Sequence, residues 1–153
     1  MRKAAFVLAL CLMLVVTLMC LPGTGSAAEH RALWVDGWQS GMWTQGEIDT
    51  MISLAYNANY NVIVPQIRKK ADALYNSTYG GPAGTGEPKP SQVSPPSFDP
   101  LAYMIQQAHA RGMQVHPWLC THRVATLTGD WFYVYHSDWL TKNYAGGLSL
   151  IHI

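Results

Sequence analysis

The chain has 153 residues, 49% of them hydrophobic and 12% charged, with a formal net charge of +1. That near-neutral balance gives no electrostatic case for nucleic-acid binding, which needs a basic patch or stripe, and three cysteines are too few for a disulfide-built scaffold. The length allows one modest core, but a complete eight-fold β/α barrel takes about 250 residues.

The first segment reads as a targeting signal rather than as part of a fold. Arg2 and Lys3 form a basic head, Ala4 to Met19 is an almost unbroken apolar run, and Gly23, Gly25, Ser26, Ala27 and Ala28 follow. These are the parts of a secretory signal peptide over residues 1–28, with cleavage after Ala28 leaving Ser26 and Ala28 at the two small-residue positions. The alternative is an uncleaved anchor, for which the run is slightly short of the roughly 20 residues of a bilayer span; membrane association is expected only if the segment is retained. Leu21-Pro22-Gly23-Thr24-Gly25 matches a sortase wall-anchor pattern, but the apolar run precedes it instead of following. Cys20 as a lipidation site would need a small residue where Met19 stands. The mature part keeps eight basic and nine acidic residues and a single cysteine, Cys120, which reads as a small buried apolar residue, a reactive thiol being the alternative.

Arg31 to Asp36 is apolar on both faces, as a strand in a covered parallel sheet is. Thr44-Gln45-Gly46-Glu47 is a capping box, and Ile48, Met51, Ile52 and Ala55 place one buried stripe on the helix behind it. Asn57 and Asn59 permit the turn that ends it. The second strand is predicted over 61–67, with Pro65 suited to its end because it cannot donate to a ladder. A glycine- and proline-rich loop runs from Arg68 to about Pro96, and loops of that length are often functional. Asp99 is an N-cap with Pro100 as first helical residue. Leu101, Met104, Ile105 and Ala108 form the stripe, Arg111 suits the negative end of the helix, and Gly112 is the left-handed stop. The third strand is predicted over 113–119, and residues 121–138 are polar and aromatic without a clear period.

Strand, helix, strand, helix, strand gives an α/β fold with parallel strands. No glycine-rich fingerprint follows the first strand, which argues against dinucleotide binding. In a β/α barrel the site lies at the C-terminal strand ends and the loops after them. Here those positions hold Trp34, Asp36 and Trp38; then Gln66, Arg68, Asp72 and Tyr75; then His116, Trp118 and Arg123. Such a set suits a sugar, since aromatic rings stack on its C–H faces while Asp, Gln, His and Arg bond its hydroxyl rim. Each tryptophan is equally readable as core. Asp36 is the more telling residue, because a carboxylate at a strand end must be paired or face a cleft, and Arg68 is its structural partner in the paired reading. His116, Cys120 and His122 do not follow a common zinc spacing; satisfied polar histidines are expected there, with no metal and no cofactor. Asn76-Ser77-Thr78 is a glycosylation sequon and otherwise marks a surface loop.

Taken together, Arg31-Ala32-Leu33-Trp34-Val35-Asp36, Pro65-Gln66-Ile67-Arg68 with Asp72-Ala73 and Tyr75, Phe98-Asp99-Pro100-Leu101, Ala108-His109-Ala110-Arg111-Gly112, Val115-His116-Pro117-Trp118, Arg123-Val124 and His136-Ser137-Asp138-Trp139 resemble the glycosyl-hydrolase-like 10 family. The resemblance implies a bacterial envelope or secreted protein with a (β/α)8 barrel acting on a polysaccharide, cell-wall glycan strands above all. The chain departs from the family where Ala71 replaces a frequent glycine and where Cys120-Thr121-His122 replaces a frequent Asn-Pro-Tyr.

By length, residues 29–145 are expected to form about three β/α units of such a barrel, and residues 146–153 a tail unlike the family that resembles translated adaptor. Glycosidases use two carboxylic residues, about 5–10 Å apart across the scissile bond, and in barrels they tend to come from later strands. Asp36 is the candidate catalytic carboxylate within the chain; the others named are expected to bind substrate. Three readings stand: part of a secreted glycoside hydrolase, a non-catalytic carbohydrate-binding or scaffold protein on the same fold, and a metal-dependent hydrolase.

Overall fold

A computed structural model describes residues 29–148. The expected signal peptide, the sortase-like motif, Cys20 and the end of the expected tail lie outside the described residues. In chain order the elements are β1 (Ala32–Val35), α1 (Gln45–Asn57), β2 (Val62–Arg68), α2 (Pro100–His109), β3 (Gln114–Val115), β4 (Trp118–Leu119) and α3 (Trp131–Tyr135), with 3₁₀ turns at Pro82–Gly84 and Ser137–Trp139. The strands make one parallel sheet in which β2 lies between β1 and β3 and also carries β4.

Both long helices start where local chemistry dictates. The Glu47 amide donates to the Thr44 hydroxyl while the Glu47 carboxylate accepts from the Trp43 and Thr44 amides, a complete capping box. The Asp99 carboxylate accepts from Ala102 N at 2.9 Å, ahead of Pro100. At the far end of α2, Gly112 adopts φ +69°, and the Met113 amide reaches back to the Ala108 carbonyl at 3.0 Å, closing the helix as a left-handed residue allows. Asn59, at φ +63°, makes the turn after α1, as asparagine tolerates.

Register explains two departures from expectation. Ile63 pairs with Val115, and Gln66 with Trp118, so Val64 and Pro65 lie opposite His116 and Pro117. Neither proline has an N–H for the ladder. The expected third strand therefore splits into β3 and β4 at that point. Pro65 sits in the middle of β2 rather than at its end, because it faces the break on one side and the last rung of β1, Val35, on the other.

Alternation then sorts the side chains to two faces. Leu33, Val35, Ile63, Ile67 and Val115 turn toward the helices and pack with Ile48, Ile52 and Ala55 of α1 and Met104 and Ala108 of α2. The Tyr103 hydroxyl joins the helices by donating to Asp49 at 3.1 Å. Ala32, Trp34, Val62, Val64, Gln66, Gln114 and Trp118 occupy the other face. Covering on both faces was the expectation for β1; among the described residues only the helix side is covered, and Trp34 is 67% exposed.

A second, smaller cluster joins the loop after β2 to the chain after β4 through Ala71, Val124, Phe132 and Leu140. Its helix, α3, spans one turn and a half of the aperiodic 121–138 stretch. A helix of five residues is too short to reveal a 3.6 period.

Candidate functional site

The C-terminal ends of the parallel strands open into two adjoining hollows. The first, about 340 Å³, is lined by Trp34, Val35, Asp36, Trp38, Gln66 and Trp118. Five of the residues expected from the sequence thus meet on the helix-free side of the sheet. The rings of Trp34 and Trp118 lie 5.7 Å apart, tilted by 56°. Asp36 is exposed and accepts from the Trp38 amide at 2.9 Å. The indole Nε1 of Trp118 is buried without a hydrogen-bond partner among the described residues, a deficit worth about 1–3 kcal/mol.

Gln66 shapes this hollow from below. It is 4% exposed; its Oε1 accepts from Gly37 N at 3.1 Å and its Nε2 donates to Cys120 Sγ at 3.2 Å. The side chain thereby ties the loop carrying Asp36 and Trp38 to the end of β4. A Cβ on Gly37 would stand 2.7 Å from the Gln66 carbonyl oxygen, so the loop approaches β2 this closely only with glycine there.

Other expected residues do structural work beside the hollow. Arg68 does not pair with Asp36. Its Nε donates to both oxygens of Glu87 at 2.9 and 3.1 Å, and its guanidinium also reaches the Cys120 carbonyl at 2.6 Å. Glu87, 19 residues along the loop, lies too far away in sequence for any local pattern to predict the pair. Tyr75 packs on the core, and burial, reinforced by the Glu87 carboxylate against the weaker pull of Arg68, raises its hydroxyl pKa. His116 lies outside the hollow, exposed, with Nε2 2.9 Å from Gln114 Oε1 and its ring 6.2 Å from that of His30. The His122 Nδ1 meets the Thr121 hydroxyl at 3.1 Å.

The second hollow, about 370 Å³, shares Trp38 with the first and adds Trp43, Lys69, Lys70, Asp72, Lys89, Asp130 and Trp131, floored by Pro88 and Pro90. Asp72 is 7% exposed. Its carboxylate accepts from the amides of Lys69 and Lys70 at 2.8 and 3.0 Å and pairs with the Lys69 ammonium. Asp130 binds the Lys70 ammonium at 2.7 Å and the amides of Thr126 and Leu127 at 2.6 and 3.0 Å. Burial alone would raise its pKa, but the Lys70 ammonium, those amides and the Thr126 hydroxyl hold it well below the usual carboxylate range. Arg123 lies with its guanidinium carbon 4.9 Å from the Trp38 ring centre, and Lys69 with its ammonium 5.5 Å from it, cation–π geometry in both cases. Trp43, Lys69, Lys70, Lys89, Asp130 and Trp131 were not among the expected residues. The run Arg68-Lys69-Lys70 directly after a strand is the local signal for two of them; Asp130 and Trp131 arrive from the far segment through tertiary packing.

The glycosyl hydrolase-like 10 family model matches residues 29–150. The chain is 28% identical to the glycosyl hydrolase YngK of Bacillus subtilis (strain 168) across 82% of its own length, which is 28% of that relative. It is 35% identical to the glycosyl hydrolase DigH of Escherichia coli (strain K12), a likeness covering 29% of this chain and 14% of that one. The chain thus spans less than a third of either relative. The motifs that the family match takes in are those that build the sheet and its two hollows, and the chain belongs to the glycosyl hydrolase-like 10 family.

Proposed function

We propose that this chain supplies one side of the glycan-binding cleft of a secreted or envelope glycoside hydrolase acting on polysaccharide, with cell-wall glycan strands as the substrate class. The observation that carries this is the meeting of Trp34, Trp38 and Trp118 with Asp36 and Gln66 in one hollow at the C-terminal ends of parallel strands. That is where β/α barrels place their sites, and the family membership and the parallel strand–helix order both support reading the sheet as part of a (β/α)8 barrel. The tilted tryptophans offer faces for a sugar ring, and the exposed Asp36 carboxylate, with Oδ1 on the Trp38 amide, presents Oδ2 to its hydroxyls. The signal-peptide pattern of residues 1–28 supports export.

A specific observation favours a second reading, a non-catalytic carbohydrate-binding or scaffold protein on the same fold. Hydrolysis calls for two carboxylic groups, and among the described residues the first hollow holds one, Asp36; Asp72 and Asp130 are committed to lysines and backbone amides. Tryptophan fluorescence titrated with soluble cell-wall oligosaccharides tests the binding claim. Trp34→Ala should weaken binding about tenfold, about 1.4 kcal/mol; unchanged affinity in Trp34→Ala and Trp118→Ala would remove the proposal. Release of reducing ends, abolished in Asp36→Asn, would establish hydrolysis and remove the second reading.

A further inference from the structure

Gln66 stands near the C-terminal end of the central strand, opposite Trp118 in register, and it lines the first hollow. Its carboxamide reaches two segments that are far apart in the chain. Oε1 accepts from the Gly37 amide at 3.1 Å, and Nε2 donates to Cys120 Sγ at 3.2 Å. The residue is 4% exposed, and both polar ends already hold a partner, so the side chain has little left to offer a ligand.

What those partners control is the placement of others. Gly37 is buried between Asp36 and Trp38, which are both exposed. The Trp38 amide donates to Asp36 Oδ1 at 2.9 Å, so residues 36–38 close on themselves as one turn. A bond to the amide of the middle residue therefore fixes where both exposed side chains stand. On the other side, Cys120 follows directly on the strand that carries Trp118. Its amide donates to the Arg68 carbonyl at 2.9 Å, and the Arg68 guanidinium donates to the Cys120 carbonyl at 2.6 Å. One end of the Gln66 carboxamide is thus anchored at a fixed strand end, and the other holds a turn. Neither Gly37 nor Cys120 is among the residues that line the first hollow.

We propose that Gln66 is a positioning residue: it sets the turn carrying Asp36 and Trp38 against the rings of Trp34 and Trp118, in place of the direct sugar contact expected from its strand-end position. This rests on the carbohydrate reading of the first hollow. A turn released from Gln66 has to be ordered again whenever a ligand binds. Ordering its two side chains and the backbone between them lowers affinity about tenfold. The Cys120 tie carries the smaller share, since sulfur is a weak acceptor.

The test titrates tryptophan fluorescence with the same soluble cell-wall oligosaccharides in variants at both ends of the tie. Gln66→Met keeps the length and bulk of the side chain without either bond and should weaken binding about tenfold. Cys120→Ala should weaken it about threefold, although Cys120 lies outside the walls of the hollow. Cys120→Ser restores an acceptor and should return affinity to within about twofold of the unaltered chain. Adding Cys120→Ala to Gln66→Met should cost nothing further, because partners in one bond are non-additive. Urea midpoints measured on each variant separate affinity from stability. Unchanged affinity in Cys120→Ala overturns the proposal, and so does a double variant whose loss is the product of the two single losses: Gln66 then touches the sugar itself. A lowered midpoint in Gln66→Met with affinity intact overturns it as well, leaving Gln66 a support of the fold alone. The Cys120 variants decide the question by themselves if Gln66→Met does not fold. Any of these results, with the unaltered chain binding, leaves the carbohydrate reading in place; failure of the unaltered chain to bind removes both.

Discussion

The two hydrophobic clusters among the described residues are built by different means. The larger is built on a sheet face and two helix stripes at the spacings of regular elements, with Met42, Leu74, Val93, Phe98 and Met113 of the connecting loops closing it. The smaller gathers Ala71, Val124 and Leu140 from irregular chain and Phe132 from the five-residue α3. It is held to the strand ends by ions: Lys70 after β2 is tied to Asp130 before α3, and the Trp131 indole donates to the Ala71 carbonyl at 2.8 Å. The first cluster makes a scaffold. The second places Lys69, Lys70, Asp130 and Trp131 around a hollow, and it does so with directional bonds that a purely apolar contact would not fix in orientation.

The contrast is broken most severely by cutting into the scaffold. Ile63 is fully buried in the central strand against both long helices, and Ile63→Ala should cost about 4 kcal/mol through lost burial and the cavity left behind. Urea unfolding should show one cooperative transition at a lower midpoint. A loss below about 1 kcal/mol would mean that β2 is not the centre of the core.

The ionic cluster should instead answer to acid. The folded-state pKa of Asp130 lies below its unfolded value of about 3.9, so the folded form binds the proton less readily. Its contribution, about 2 kcal/mol for a charge-assisted bond network, is fully present above about pH 4 and disappears as pH falls through the folded value. Protease cleavage within residues 121–140 should therefore accelerate in acid while the scaffold amides stay protected from exchange. In Asp130→Asn the cleavage should be fast already at pH 7 and lose most of its pH dependence. An acid response identical in the two proteins would assign the cluster's cohesion to its apolar contacts.

The same contrast marks what the sequence makes legible. Thr44, Glu47, Asp99, Pro100 and Gly112 each act on neighbours within a few residues, and all occupy the positions their chemistry predicts. The stripes of α1 and α2 follow from a single period. Trp34, Asp36, Trp38, Gln66 and Trp118 could be assigned to strand ends for the same reason, and they meet. The pairing of Arg68 with Glu87 rather than Asp36, the Gln66 tie to Gly37 and Cys120, and the arrival of Asp130 beside Lys70 depend on contacts 19 to 60 residues apart. No local pattern encodes those separations. The broken third strand is intermediate: Pro65 and Pro117 are both visible in the sequence, but only register brings them opposite each other.

The smallest expected effect concerns Ala71. Ala71 is fully buried in the smaller cluster and adopts φ +46°, a left-handed conformation that costs an L-residue about 1–2 kcal/mol. Replacing it with glycine relieves that cost. It also removes one buried methyl, worth about 0.8 kcal/mol, and frees the unfolded chain by about 0.4–1 kcal/mol. The gain and the two losses nearly cancel, so Ala71→Gly should change the denaturation midpoint by the equivalent of about 0.5 kcal/mol or less. A loss well beyond 1 kcal/mol would mean that the methyl packs the cluster more strongly than the backbone resists it. A gain of that size would mean that the strained turn, with the Asp72 carboxylate bonded to the Lys69 and Lys70 amides around it, dominates the energetics of the loop. Near-neutrality would show that the turn is imposed by Asp72 and its amide partners, and that the side chain at position 71 only has to fit.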